Sequence, residues 1–466
     1  MNYDKLFLKL FISLSLIYIA FMVKPWANVS GNIYPGDDNS YYGYTSSIVN
    51  DFDFDFANNQ LSGHGGLSPA TGKIQLYHPI GTSLLLIPFY VLAKPIVVLV
   101  DILNHSPFEQ RHPLFFIFMC SGVMVYAYWG SFLLYRAVCQ LGIKPKTALI
   151  SVTLSLWGTI LPAYIFKRPI FSTIPEFFLI SALIFLVVQF KPRLANIKYI
   201  FFLSLLCGLL IVTRWNDLHI IFFIFYFLLV CQIQAKGFKK EIVFKILFFF
   251  GVIFLIFFLT QGLAWKSFLG SFFKPPYNPL GIGKTARVVS SHTINNLLHI
   301  FIARDWGLFY TMLPFLAGTV AFFIFLPLPL SKNKLLDFLV YLLVFLLPFA
   351  IVVKAQKQGS YYGYRHLLSL LPFATLGLAA FLNMIYEKTP KADKVLTIIT
   401  VLIISFNFFL MLPFEYHDST TLKRSINIMG REGFNNDAYV FNALKLYFTL
   451  PARDLAGMFC RGYAAG

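Results

Sequence analysis

Two adjacent carboxylates, Asp37 and Asp38, follow the turn signal Tyr34-Pro35-Gly36 shortly after the first apolar block of the chain. Neighbouring carboxylates at a membrane surface spread each other's pKa values, which leaves one of them able to act as a general base. A solvated acidic turn has the same spacing. His78, which opens the run His78-Pro79-Ile80-Gly81, either touches a phosphate or caps the segment that it starts. Arginines recur where apolar blocks begin or end: Arg168 and Glu176 flank one, Arg214 closes another with Asp217 and His219, and Arg365 follows Tyr364. An arginine fork grips phosphate oxygens in pairs; the competing role is snorkelling to lipid headgroups. Three such arginines on the face that carries the carboxylate pair favour an anionic substrate.

The elements that must position these residues belong to a membrane. Of the 466 residues 58% are hydrophobic and 12% are charged, whereas a soluble chain carries about a quarter charged residues. Mean hydropathy is +0.70, and blocks such as 242–263 and 395–412 are long enough to cross about 30 Å of hydrocarbon as helices. The expected fold class is an all-α integral membrane protein of about eleven spans, near 6–23, 113–139, 148–166, 170–190, 199–213, 218–234, 242–263, 307–327, 335–353, 366–386 and 395–413. With the N-terminus inside, the basic loops Lys144/Lys146, Lys191/Arg193/Lys198, Lys236/Lys239/Lys240, Lys332/Lys334 and Lys388/Lys391/Lys394 all face the cytoplasm, as the positive-inside rule requires. The block 80–100 must then not span. Pro88, Lys94 and Pro95 give it reason to be a broken, interfacial or re-entrant segment; the alternative topology has this block spanning and the N-terminus outside. The transmembrane module thus covers 1–413. Its first outer loop runs over 24–112 and the second over 264–306, and an extracytoplasmic tail at 414–466 contains a short amphipathic stretch at 439–448.

Several features carry no chemistry. The formal charge of +18 sits in short clusters between apolar blocks, so it reads as loop charge and attraction to anionic membrane lipid rather than nucleic-acid binding. The five cysteines show no paired spacing and read as small hydrophobes. The N-terminal block lacks a well-placed small-residue cleavage site and is expected to remain as the first helix. Gly283-Lys284-Thr285 imitates the end of a phosphate loop, but Asn278 stands where the first glycine belongs. Asn28-Val29-Ser30 is a lone sequon, and the pentapeptide Ser-Tyr-Tyr-Gly-Tyr at 40–44 and 360–364 is too short to establish a duplication. The alternation of acid and aromatic over Asp51–Phe56 suggests a short strand or an interfacial anchor.

Taken in chain order, the motifs resemble those of the C-type membrane glycosyltransferases (GT-C), the superfamily of protein O-mannosyltransferases and lipid A aminoarabinose transferases. Asp37-Asp38-Asn39-Ser40-Tyr41 is similar to the acidic pair of that family's first outer loop, and His78 to Leu86 to its juxtamembrane segment. Gly208 to Arg214, Trp306 to Pro314, and Gly363-Tyr364-Arg365-His366-Leu367 with Pro372 resemble later helix-end motifs. Asp38 stands where the family often has Glu, and no stretch of the chain reads as a large soluble domain. The resemblance implies a GT-C-like fold and an inverting transferase that takes sugar from a polyprenyl-phosphate-linked donor. The acceptor it implies is a lipid, glycan or protein, and the expected location is a bacterial inner membrane with the site facing outward. It implies Asp37 as base, with Asp38 orienting it, the acceptor or a divalent ion (Mg²⁺ or Mn²⁺). Arg168, Arg214 and Arg365 would hold the donor phosphate, and Tyr41, His78, Glu176 and Tyr364 would contact substrate. The alternatives are a polymerase or ligase of lipid-linked glycans and a lipid or glycan transporter. The transporter would want mid-membrane charges and half-to-half symmetry, neither of which is visible.

Overall fold

The computed structural model describes residues 2–22, 37–57, 66–108, 112–190, 196–236, 240–273, 300–302, 307–329, 331–355, 364–389 and 392–411. The sequon at Asn28, the Gly283-Lys284-Thr285 run, residues 360–363 of the repeated pentapeptide, most of the loop 264–306 and the tail 414–466 lie outside the described residues.

Among the described residues the protein is all-helical, with one isolated bridge between Leu67 and Ile74. The helices are α1 (Tyr3–Met22), α2 (Asp37–Asn50), α3 (Gly81–Leu103), α4 (Pro113–Gln140), α5 (Pro145–Trp157), α6 (Thr173–Phe190) and α7 (Ile197–Thr213). They continue with α8 (Leu218–Lys236), α9 (Lys240–Phe257), α10 (Leu263–Leu269), α11 (Leu313–Phe325), α12 (Lys334–Ala355), α13 (Leu371–Lys388) and α14 (Asp393–Met411). Local chemistry sets several starts. Pro113 and Pro145 occupy first-turn positions that need no amide donor, and the Asn196 side chain accepts from the Lys198 amide at 3.0 Å.

Six of these stretches are long and apolar enough to cross a membrane: Gly81–Leu103, Pro113–Gln140, Trp215–Gln234, Lys240–Leu269, Arg365–Lys388 and Asp393–Met411. Three shorter apolar helices accompany them, at Thr173–Gln189, Ile197–Thr213 and Leu313–Phe325. The expected count of eleven is therefore not reproduced. The block expected at 148–166 is the 13-residue α5, which ends at Gly158 and gives way to a wide π turn at Ala163–Lys167 after Pro162. The block expected at 307–327 divides at Met312 into the single turn Leu308–Thr311 and α11.

The helices share two ends. At one, Asp4 of α1 pairs with Arg136 of α4 at 3.0 Å, Gln140 bonds Gln189 of α6, and Lys146 bonds Asp393 of α14. Following each helix from there carries the chain to the other end, where α2, α6 and the turn before α13 begin and α7 stops. Lys144, Lys146, Lys198, Lys240, Lys334, Lys388 and Lys394 flank helices at the first end. Asp37, Arg168, Arg214 and Arg365 occupy the second. The separation expected from loop charge is thus built into the chain path.

Of the broken, interfacial and re-entrant readings of the block 80–100, the path of α3 overturns the first. The helix is unbroken through Pro88 and Pro95. It leaves from the second end, where the Ile80 amide donates to Gln261 at 2.8 Å, and Gly81 sits so close to Thr213 that a Cβ would strike its backbone. From there it follows the N-terminal half of α4. Tyr126 donates to the Leu85 carbonyl at 2.6 Å, Tyr90 stacks on Phe115 at 4.0 Å, and Asp101 faces His112 at 3.9 Å. These neighbours on α2 and α4 pack along the helix on either side of Pro88, a residue that by itself costs a helix a hydrogen bond. Of the strand and the interfacial anchor considered for Asp51–Phe56, the strand is absent. Asp53 there accepts from Ser47 at 2.7 Å, and Phe56 is fully buried against Tyr44 and Phe268.

Candidate functional site

Helix α2 is a polar helix in a buried place. Asp37 and Asp38 form its first turn, where the aligned peptide dipoles favour negative charge, and Ser40, Thr45, Ser46 and Ser47 are buried behind them. Hydrogen bonds to α3 hold it there. Ser83 donates to the Tyr41 carbonyl at 2.8 Å, and Asn50 donates to the Tyr90 hydroxyl at 2.8 Å. The acidic pair is therefore fixed to a rigid element rather than carried on a free turn.

Asp37 has a cationic or imidazole partner on each oxygen. His78 Nε2 lies 3.0 Å from Oδ1, and Arg365 Nη1 donates to Oδ2 at 3.0 Å. His78 is itself oriented by Ser40 through Nδ1 at 3.1 Å, and its ring lies 5.6 Å from that of Tyr41. Burial pushes the Asp37 carboxyl up, but the His78 hydrogen bond and the charges of His78 and Arg365 outweigh it. The net effect holds Asp37 well below the usual carboxylate range. Arg365 also lies over the Phe171 ring, 4.8 Å from its centroid.

Asp38 is in the opposite situation. It is 1% exposed, and neither carboxylate oxygen has a hydrogen-bond partner among the described residues. Burial above all pushes its carboxyl up to about 7; Arg168 and Arg365 pull it down, and the charge of Asp37 adds to the rise. Two neighbouring carboxylates thus have environments that drive their proton affinities apart, a pattern typical of acid–base sites.

A second buried cluster adjoins the first. Arg214, the residue that ends α7, gives Nη1 to Glu176 at the start of α6 and Nη2 to Nδ1 of His366. Asp217, in the 3-10 turn Trp215–Asp217, is buried as well, and Glu176 Oε1 and Asp217 Oδ2 have no hydrogen-bond partner among the described residues. Glu176 and Asp217 are almost completely inaccessible and Arg214 nearly so. The two clusters meet at the 3-10 turn Arg365–Leu370, which contributes Arg365 to one and His366 to the other.

The residues singled out in the sequence largely converge. Asp37, Asp38, His78, Tyr41, Arg168 and Arg365 form the first group, and Glu176 and Arg214 the second. Tyr364 caps the turn of Arg365, its carbonyl accepting from the Leu367 amide at 3.0 Å. Lys167 points elsewhere and donates to the Met411 carbonyl at the end of α14 at 2.6 Å. Ser40 and His366 lie inside the motifs singled out in the sequence but carry no role there, and Phe171 lies in none. The signals were position alone: Ser40 between the acidic pair and Tyr41, and His366 next to Arg365. A divalent cation fits poorly here. Both oxygens of Asp37 already face His78 and Arg365, and no group of three or more His, Cys, Asp or Glu side chains that could hold an ion occurs among the described residues.

Fold and composition together define an all-α integral membrane protein in which most buried charges among the described residues gather at one end of its helices, Asp337 at the other end being an exception. No protein-family model matches the sequence, and no curated protein matches it. The fold is similar to solved structures of the Archaeoglobus fulgidus oligosaccharyltransferase. For its complex with an inhibitory peptide and a dolichol-phosphate the TM-score is 0.45 at 13% identity, covering 100% of this chain and 57% of that one. For the apo form it is 0.42 at 12% identity, covering 99% and 56%. This chain therefore spans little more than half the length of those proteins. A likeness at this level identifies no reaction and no ligand.

Proposed function

We propose that this protein is a membrane glycosyltransferase of the C type that moves a sugar from a polyprenyl-phosphate donor to an acceptor hydroxyl or amine. The observation that carries the reading is the Asp37–Arg365 pair. A carboxylate of the first loop and an arginine 328 residues later meet at 3.0 Å, at the end of the molecule opposite the basic loops. The reading puts the lysine-bearing end in the cytoplasm and the site at the outer surface.

In the proposed reaction the acceptor oxygen or nitrogen bonds to the anomeric carbon while the bond from that carbon to the phosphate oxygen breaks. The electron pair leaves with the phosphate, and the acceptor proton passes to Asp37. Attack opposite the leaving group inverts the anomeric carbon. The departing phosphate is a stable anion, so it needs positive charge rather than a proton donor; Arg365 and Arg168 supply it. With Arg365 on its carboxylate Asp37 is a weak base. An arriving phosphate competes for that guanidinium, and Asp37 gains basicity as Arg365 turns to the donor. His78, held by Ser40, keeps the carboxylate oriented meanwhile. Tyr364, half-buried beside Arg365, meets sugar or acceptor, while Tyr41, buried against the His78 ring, acts through that ring.

The test is transfer from a panel of synthetic polyprenyl-phosphate sugars to membrane acceptors, comparing wild type with Asp37→Asn. Turnover should fall by about 100-fold or more, with binding of the carrier lipid retained. An Asp37→Asn protein that still transfers at near the wild-type rate ends the proposal.

A further inference from the structure

Three arginines at one end of the molecule invite a common role as phosphate ligands, yet their surroundings differ. The Arg365 side chain keeps 16% of its surface and pairs with a carboxylate that faces the site. Arg214 is engaged inward: each nitrogen at its tip has a partner, Glu176 Oε2 on α6 and His366 Nδ1 beside Arg365. A guanidinium only donates, so Nδ1 of His366 is the accepting nitrogen and the ring proton sits on Nε2. Arg214 therefore ties three elements together: the end of α7, the start of α6 and the turn before α13.

The geometry of that turn gives the tie a consequence. Residues 365–370 form a 3-10 helix, in which successive side chains point about 120° apart. Arg365 and His366 are its first two residues, one directed at Asp37 and the other at Arg214. Fixing His366 fixes the rotation of the turn about its axis, and hence the direction in which Arg365 leaves it. The Ser369 hydroxyl, 3.4 Å from the His366 carbonyl, adds only a weak internal brace, so the hold on rotation comes from outside the turn.

We propose that Arg214, braced by Glu176, is a positioning residue that acts through His366 to aim Arg365, rather than a ligand of the donor phosphate. This rests on the transferase reading above for its catalytic consequence, though the tie itself does not. The catalytic test is a double-mutant cycle on transfer rate. Arg214→Gln and His366→Ala should each lower kcat about 10- to 100-fold, and neither should lower it further in an Arg365→Ala background, because residues that act as one unit are not additive. His366→Asn, which offers a side-chain oxygen where Nδ1 stood, should restore kcat to within about threefold of wild type. Losses that multiply with that of Arg365→Ala would show Arg214 acting on its own and overturn the proposal. A second measurement needs no activity. Amide hydrogen exchange over 365–370 should speed up at least about tenfold in Arg214→Gln and His366→Ala but not in His366→Asn. Unchanged exchange in all three overturns the proposal. Wild-type protein inactive with every donor, but showing this exchange pattern, would sink the transferase reading and leave the positioning tie standing.

Discussion

At the residue scale the central contrast lies between two neighbouring carboxylates. Asp37, with His78 and Arg365 at 3.0 Å each, is held ionised. Asp38, buried and without hydrogen-bond partners among the described residues, is pushed up to about 7. Opposite linkage follows. A carboxyl whose folded pKa is raised costs stability as pH climbs from the ordinary carboxylate range to its folded value. A carboxyl whose folded pKa is lowered stabilises above the ordinary range and loses that contribution only in stronger acid. Between about pH 4 and pH 7 the Asp38 effect therefore dominates this pair. Asp38→Asn should raise the thermal midpoint in detergent at pH 7.5 by several degrees and leave it nearly unchanged at pH 4.5. An equal effect at both pH values contradicts the assignment. Removal of Arg365 acts in a predictable direction on Asp37. Arg365→Ala should lower transfer about 100-fold or more and move the acid limb of the remaining activity to higher pH, since a cation that depresses Asp37 is gone. An acid limb that stays in place argues against Asp37 as the base.

At the scale of elements, α2 and the turn before α13 matter most, because each carries half of the site on a short rigid piece. The helices beneath them rely on close approach. Gly318 of α11 and Gly377 of α13 lie where a Cβ on either would enter the backbone of the opposite helix, the small-residue contact by which helices pack in membranes. Gly377→Val should therefore cost on the order of 1–3 kcal/mol or more, read as a lower thermal midpoint. It should also reduce turnover, because α13 carries the Arg365 turn. A midpoint equal to wild type would mean that the two helices part without penalty. Elements were also where the sequence misled most. Pro88 and Pro95 made a break one of three readings of the block 80–100, beside an interfacial and a re-entrant segment, but a proline's effect on a helix depends on neighbours that no local pattern reveals, and α3 continues through both. The 148–166 block carries no charge, yet Gly158 and Pro162 end its helix early. The convergence of Asp37 and Arg365 was legible because sidedness follows from loop charge, which the sequence displays directly. The partnership of Arg214 with His366, which spans 152 positions, leaves no trace in spacing or periodicity. Neither does the ring of Phe171 beneath Arg365.

For the molecule as a whole, the separation of charge between its two ends does most to favour chemistry at an outer membrane surface. Lysines crowd the helix ends at one side, while the carboxylates and arginines of the site are collected at the other. Labelling of single cysteines tests how this axis lies in a membrane. A cysteine replacing Phe52, which is 88% exposed in the segment after α2, should react from outside intact cells with a membrane-impermeant maleimide. A cysteine replacing Gly142, between α4 and α5, should react only after permeabilisation. The reverse pattern would put the site in the cytoplasm. The most direct test of the account is the position of a bound carrier phosphate, from electron cryomicroscopy of the protein in nanodiscs with a polyprenyl phosphate. The phosphate should lie within hydrogen-bonding distance of Arg365, with Arg168 facing it and the Asp37–Arg365 pair opened. Phosphate density found only at the lysine-bearing end, with that pair still closed, would contradict it.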